Sequence, residues 1–439
     1  MKSPSQSYGF GVWALVSLVV GNAVGAGIYT TSGYALADLG SREWVLLAWF
    51  VAGLIALSGA ASYAMLVRHI TESGGEYLYL SRSIHPLAGF IAGWISLLAG
   101  FPGAIAFAAS ALEAYAHSAL PGLRDLPQDT IAVAVVLLAG AIHIVRTSSG
   151  ARTHEFLVGV MLLLLLVGVV WSGWQFAVSP ALPALDTGTL ATFNALAFAN
   201  SLVWISLSYS GFNAAAYIAG EVRDARTTVP RGMIIGTFIT MLLCVSVNAV
   251  FLYAQAPAVI QGQAEIAALA AQALGGDSAQ RVIEVVIVIS LLTSISAMAL
   301  AGPRVYAKMA EDGALPKWFR AQAGEPPRMS ILLQIGMSLL LILASDLRGL
   351  LSYLGLTLSL CLALAVSSLF VVHWRSGDRP STPWYPFAPL VFVSCTVLFA
   401  MLSALNDVRQ FYAVLPTVAI GCLAYWVSLH FQRAAATQS

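Results

Sequence analysis

Charge is what this chain lacks. Asp, Glu, Lys and Arg make up only 9% of its 439 residues, while 59% are hydrophobic. Soluble domains carry about 25% charged residues. A soluble fold is therefore excluded, and the chain reads as a polytopic membrane protein. Its net charge of +1 suggests no nucleic-acid partner. Cysteine is scarce as well. Cys244, Cys361, Cys395 and Cys422 lie in apolar stretches without metal-ligand spacing, and read as small buried hydrophobes. The first apolar stretch is too long for a cleaved signal and has no small-residue cleavage site, so it reads as the first span. No His, Asp, Glu and Cys cluster and no phosphate loop is visible, which argues against a membrane-embedded enzyme. Nothing resembles a charged ring or a carbonyl filter, which argues against a channel.

Long apolar runs are what the chain has. A span needs roughly 20 apolar residues. Twelve candidates follow one another: 10–36, 43–67, 86–117, 130–146, 154–176, 194–219, 231–254, 281–309, 330–345, 349–373, 385–405 and 410–431. With a cytoplasmic N-terminus, only Arg42, Arg124, Arg281, Arg348 and Arg409 of the 21 Lys and Arg residues fall outside. That bias predicts a multi-pass protein of the inner (plasma) membrane with both termini cytoplasmic.

Two of the spans are interrupted. Gly21-Asn22-Ala23-Val24-Gly25-Ala26-Gly27-Ile28-Tyr29 breaks the first, and Ser208-Tyr209-Ser210-Gly211-Phe212-Asn213 breaks the sixth. Backbone without helical partners is tolerated at membrane depth only where it lines a protein cavity. Matching breaks in two halves point to a midplane substrate site in a secondary transporter. The expected architecture is all-α: a 5+5 inverted repeat with helices 1 and 6 broken, plus two further helices. Residues 10–176 form the first repeat, 194–373 the second, and 385–431 the last two spans, in one polytopic domain. A Pro-, Ala- and Thr-rich loop at 178–193 separates the repeats. In the connector at 255–279, Gln263 to Leu274 reads as a short helix ended by Gly275-Gly276, either a lid over the outer mouth or a plain surface connector.

Four motifs carry a family resemblance. They are Gly25-Ala26-Gly27-Ile28; Ser73-Gly74-Gly75-Glu76-Tyr77-Leu78-Tyr79-Leu80; Tyr209-Ser210-Gly211-Phe212-Asn213-Ala214-Ala215 running on to Gly220-Glu221-Val222-Arg223 and Val229-Pro230-Arg231; and Gly302-Pro303-Arg304-Val305-Tyr306 followed by Met309-Ala310-Glu311-Asp312-Gly313. In this order they resemble the amino acid–polyamine–organocation transporter superfamily with its LeuT-type fold, over about residues 8 to 375. The third motif is most similar to bacterial relatives of the L-type neutral amino acid transporters. The resemblance implies an exchanger or secondary active transporter of neutral L-amino acids working by alternating access.

The residues fit that chemistry. An amino acid needs donors for its carboxylate and acceptors for its ammonium, and a broken helix exposes both. The half-helix after Gly27 offers free N–H groups and a positive dipole end. Gly25 and Gly27 allow close approach and unusual backbone angles. Carbonyls near Val20–Val24 and Leu207–Tyr209 suit the ammonium. The candidate substrate contacts are Val24, Gly25, Ala26, Gly27, Ile28, Leu207, Ser208, Tyr209, Ser210, Gly211 and Phe212. The acids and bases all map to loops or span ends, with Glu113 and Glu284 the deepest. A cationic side chain would then be desolvated without a partner, so a neutral substrate is expected.

Leu207 stands where L-type relatives carry an aromatic gate, and Trp204 lies one turn earlier. Tyr29 and Tyr353 are further gate candidates, and Phe101, Phe107 and Phe212 could wall the pocket. Two ionisable positions of relatives are Met65 and Met161 here, so a proton relay at those places is absent. The opening motif also matches sodium-coupled LeuT-fold symporters. The resemblance then implies a sodium site of the Gly21, Val24 and Ser290 carbonyls with the Thr293 and Ser294 hydroxyls. No other cofactor is expected. Sodium coupling, sodium-independent exchange and proton coupling through another group all stay open. The histidines cluster at span ends and read as interfacial anchors, with His154 as the exception to watch. Monomer or homodimer, with or without an accessory subunit, is undecided by sequence. A membrane-embedded amino acid sensor that binds without transport is the alternative function.

Overall fold

In a computed structural model of the chain, residues 10–123, 125–145, 150–178, 191–320, 327–376, 382–406 and 408–436 are described. Most of the 178–193 divider, and the side chain of His154, lie outside the described residues. The described residues form helices and turns, with no strand among them. Eight helices are long and apolar enough to cross a membrane, and a ninth crossing is a bent pair, Val12–Ala23 and Ala26–Leu39, with 41° between its halves. Thr130–Ile144, Arg328–Ala344 and Val414–Leu429 are apolar but shorter. This is a multi-pass membrane protein. The short ninth candidate, 330–345, coincides with one of these shorter helices.

We label the bent pair α1 (Val12–Ala23) and α2 (Ala26–Leu39), followed by α3 (Arg42–His69) and α4 (Gly75–Ser83). Helix α5 runs Pro86–Ala119. It opens with Pro86 in its first turn and with His85 Nδ1 accepting the Leu87 N–H at 3.1 Å, so one orphan donor is satisfied. At Ser96–Gly100 it loosens into a π-helical turn just before Pro102, a type of irregularity common at functional sites. Helices α6 (Thr130–Val145) and α7 (Gly150–Val178) follow.

The α8 helix, Ala195–Tyr209, begins at a built cap. Asn194 Oδ1 accepts the N–H groups of Leu196 at 3.0 Å and Ala197 at 3.2 Å. Helix α9 (Ala225–Tyr253) and the broken Ile266–Glu311 helix, α10, come next. Gly275 and Gly276 leave helical geometry inside α10, so the short connector helix ends where the sequence places its end. That helix is packed rather than free. Ile266, Ala267, Ala268 and Ala270 are buried, and the Gly262 N–H donates to Gly33 O on α2 at 2.8 Å. It therefore covers the second half of the broken helix. The chain closes with α11 (Arg328–Ala344), α12 (Leu347–Ser376), α13 (Phe387–Asn406) and α14 (Val408–Ala436). The core centres on α1, α2, α3, α8 and α9, where Trp49, Tyr63, Trp204 and Tyr209 are almost wholly enclosed. Leu163, Leu166, Val167 and Val170 on α7 face outward, as a lipid-facing surface requires.

Candidate functional site

The first break is a real interruption. Val24 leaves helical geometry with φ −81° and ψ 77°, Gly25 is extended, and α2 starts at Ala26, two residues earlier than the half-helix expected after Gly27. The leading N–H groups of α2 have no partners within their own helix. Gly25 has φ −126°, which any residue adopts, and a Cβ there would sit 3.4 Å from Ser294 Oγ, an ordinary contact. Gly27 is different. A Cβ there would collide with Ser208 Oγ and lie 3.1 Å from Ser208 Cβ. Of the two glycines, only Gly27 has to lack a side chain.

The second break is not a gap. α8 continues beyond Tyr209 as twelve residues of 3-10 helix, Ser210–Glu221, before Val222 turns extended. The tighter winding satisfies groups that an open break would leave free. Leu207 O accepts both the Ser210 N–H and the Ser210 hydroxyl, the latter at 2.7 Å. The carbonyl expected to receive an ammonium is thus engaged. The two interrupted helices touch here. A Cβ on Gly211 would lie 2.5 Å from the Ala23 nitrogen and 2.7 Å from the Asn22 carbonyl carbon.

Around this crossing sit hydroxyls without partners. Ser208 Oγ and Ser294 Oγ are both buried and form no hydrogen bond. A buried unsatisfied polar group costs about 1–3 kcal/mol, and such groups call for a ligand, a water or a function. Ser290 Oγ lies 3.5 Å from Val24 O and 3.0 Å from Met161 Sδ. The Met161 thioether therefore lies beside the first break. Tyr29 is buried there too, its hydroxyl 3.4 Å from Ser290 Oγ and its carbonyl accepting from Tyr115 Oη at 2.7 Å. Thr293 does not join them. Its hydroxyl donates back to Ile289 O at 2.8 Å. Ser290, Thr293 and Ser294 belong to the expected sodium set. Ser290 and Ser294 face the break at Val24 and Gly25, Gly21 is buried on α1, and Thr293 is turned onto its own helix.

A cavity of about 490 Å³ reaches the crossing from one side of the molecule. Leu207, Ser210 and Gly211 line it together with Asn22 and Asn213. Val24 to Ile28, Ser208, Tyr209 and Phe212 do not line it, and all are buried. The α2 N-terminus is thus closed behind Ser208 in this conformation. Phe212 packs edge-on against Tyr63 and Phe392. The cavity's far rim carries Phe10, Glu221 and Arg304, the last two 3.9 Å apart.

The opposite end is sealed. Arg348 Nη2 pairs with Asp38 Oδ1 at 2.5 Å, and Asn200 Nδ2 donates to Asp38 Oδ2 at 3.2 Å. The Arg348 guanidinium lies 5.0 Å over Trp204, whose indole N–H donates to Ser352 Oγ at 2.9 Å. Trp204 thus belongs to this seal, not to the cavity wall. Tyr353 pairs with Thr417 at 2.9 Å and also lies off the cavity.

Two polar residues of the cavity wall escape the sequence reading. The first is Glu76. It is only 3% exposed, yet it forms part of the cavity wall, which Glu113 and Glu284 do not. Glu113 instead accepts the N–H groups of Asp129 and Ala132 at the start of α6, and Glu284 accepts from Ser118 and Gln280. The clue was the doubled glycine before Glu76. Gly74 and Gly75 have φ of 147° and 54°, and a Cβ on Gly75 would strike Tyr217. The second is His143, which lines the cavity with Nε2 2.9 Å from Ser296 Oγ.

Known proteins resemble the chain throughout its length. The family described as amino acid permease matches residues 10–427. A serine/threonine exchanger of Bacillus subtilis, SteT, is 25% identical over 398 residues, covering 88% of both chains. The human large neutral amino acids transporter small subunit 2 is 25% identical over 90% of this chain and 76% of its own. The human cystine/glutamate transporter is 24% identical over 89% and 79%. With the broken helix, the cavity beside it and a family match across nearly every described span, the chain belongs to the amino acid permease family.

Proposed function

We propose that this permease exchanges neutral L-amino acids across the inner membrane by alternating access. Twelve spans in a 5+5 inverted repeat, with both termini cytoplasmic, put the cavity on the cytoplasmic side and the Asp38–Arg348 seal outside. The observation that carries the reading is the pair of unpartnered hydroxyls, Ser208 and Ser294, set against Gly27 and Gly25 of the broken helix. The zwitterion's carboxylate meets the N–H groups at the start of α2, and its ammonium meets the carbonyls where α1 ends. Around that point the side chains are hydroxyls and a thioether, which suits an uncharged substrate side chain. The exchanger named among the relatives supports antiport.

Proteoliposomes test this. Labelled L-serine should enter vesicles preloaded with L-alanine and stay outside empty ones, regardless of an imposed sodium or proton gradient. Steep proton-driven uptake into empty vesicles would overturn exchange. Binding without any uptake would mark a sensor.

Sodium coupling has its own test. Thr293 is committed to its own helix, and the Ser290 hydroxyl is shared with Met161. Replacing sodium by choline should leave exchange unchanged, and Thr293→Ala should behave as wild type. A sodium-dependent affinity that Thr293→Ala or Ser294→Ala removes would show that the cation site assembles after all.

A further inference from the structure

Glu76 is a buried carboxylate that the proposed exchange leaves without a role. Its oxygens accept from three donors. Tyr63 Oη and Asn213 Nδ2 each lie 2.7 Å from Oε1, and Tyr217 Oη lies 2.6 Å from Oε2. These come from α3 and from the 3-10 segment that follows α8. A carboxylate offers about four lone-pair sites, so one direction on Oε2 stays open. No Lys, Arg or His nitrogen among the described residues lies within 4.0 Å of it; the nearby cations pair elsewhere, Arg82 with Glu72, Lys308 with Asp312 and Arg304 with Glu221. A buried charge without a counter-charge is costly, and at membrane depth such a group marks a pathway by default. Glu76 also shares one cavity with Ser210 and Gly211 at the helix crossing and with Arg304 at the rim.

We propose that Glu76 is a second ammonium-binding point, on the cytoplasmic leg of the route. An amino acid entering from the rim engages Glu76 through its ammonium before reaching the helix crossing, and a departing one pauses there. The three protein donors fix the carboxylate's position and leave the open direction to the ligand. Because the group lies on one side of the closed crossing only, its effect is one-sided. This rests on the exchange reading above.

The test uses the whole protein in vesicles of both orientations. Glu76→Gln keeps the shape and removes the charge. It should raise the KM for L-alanine on the cytoplasmic face about tenfold, the loss of one charge-assisted hydrogen bond, with the KM on the external face unchanged. A merely structural role would move both faces together. Propylammonium, which has an ammonium and no carboxylate, supplies a measurement on the wild-type protein. It should inhibit exchange from the cytoplasmic face and not from outside. Equal KM values for wild type and Glu76→Gln, a change on both faces, or propylammonium without one-sided inhibition would each overturn the inference. If the wild-type protein moves no amino acid at all, the exchange reading fails instead, and propylammonium binding can still be read directly by calorimetry.

Discussion

Gly27→Ala should cut exchange at least about tenfold, since inserting a methyl into a filled contact costs about 1–3 kcal/mol. The new Cβ would occupy the place of Ser208 Oγ, with the Ser208 Cα only 3.3 Å away. The α2 N-terminus and α8 could not close on each other as they do here, and the substrate's contacts on the two helices would be pulled apart. Ser208→Gly removes the obstructing atoms, so Gly27→Ala with Ser208→Gly should exceed Gly27→Ala alone while staying below wild type, because the Ser208 hydroxyl is lost. Gly25→Ala, with its nearest neighbour at 3.4 Å, should be far milder. Gly211→Ala meets backbone rather than side chain, and we expect it to fail at folding. Initial rates of counterflow, alongside monodispersity in detergent, separate these cases. A well-folded Gly27→Ala protein as active as wild type would remove the substrate from this crossing.

Amidating the substrate's α-carboxylate should weaken binding on the order of a hundredfold, because charge-assisted hydrogen bonds are worth about 1.5–3 kcal/mol each and the α2 dipole adds to them. L-alaninamide keeps the ammonium and the methyl group and loses only the anion. It should compete poorly against L-serine uptake, while L-alanine and L-leucine compete well. L-lysine and L-arginine should be weak competitors from outside, because Ser208, Ser290, Ser294 and Met161 offer no counter-charge at the crossing. Any competition by the two should come from the face on which the Glu76 cavity opens. Lysine as the tightest external competitor would mean that the site is electrostatically different from the one described.

Much of the architecture was legible because membrane burial leaves few choices. Apolar run length gave the candidate spans, and Gly275-Gly276 announced the end of the connector helix. The first break was legible because glycine spacing inside an apolar stretch has few other uses. The second was harder. Ser210 and Gly211 signal an irregularity, but whether the chain opens or tightens into 3-10 turns depends on what packs against it, and that is α1. Gly25 and Gly27 looked alike in sequence, and only the position of Ser208 separates them. Glu76 was overlooked because it stands seven residues beyond the end of α3 in what reads as a loop. The bend that carries it inward depends on left-handed backbone at Gly75 and on Tyr217, far away in sequence. His143 hid for a similar reason. It lies near the end of its span, yet its helix faces the cavity there.

The Ser210–Glu221 segment is a drawn-out coil. Twelve residues at the 3-10 rise of about 2.0 Å extend about 24 Å, and the same residues wound as α-helix extend about 18 Å. Any motion that rewinds the segment pulls Glu221 toward Tyr209 by roughly 6 Å. Asn213 and Tyr217, both holding Glu76, would be carried along. The slack has somewhere to go, since extended Val222 and left-handed Asp224 join the segment to α9. In this permease a few ångströms of travel are therefore stored in helical pitch, and they can be spent without swinging a whole helix through the bilayer.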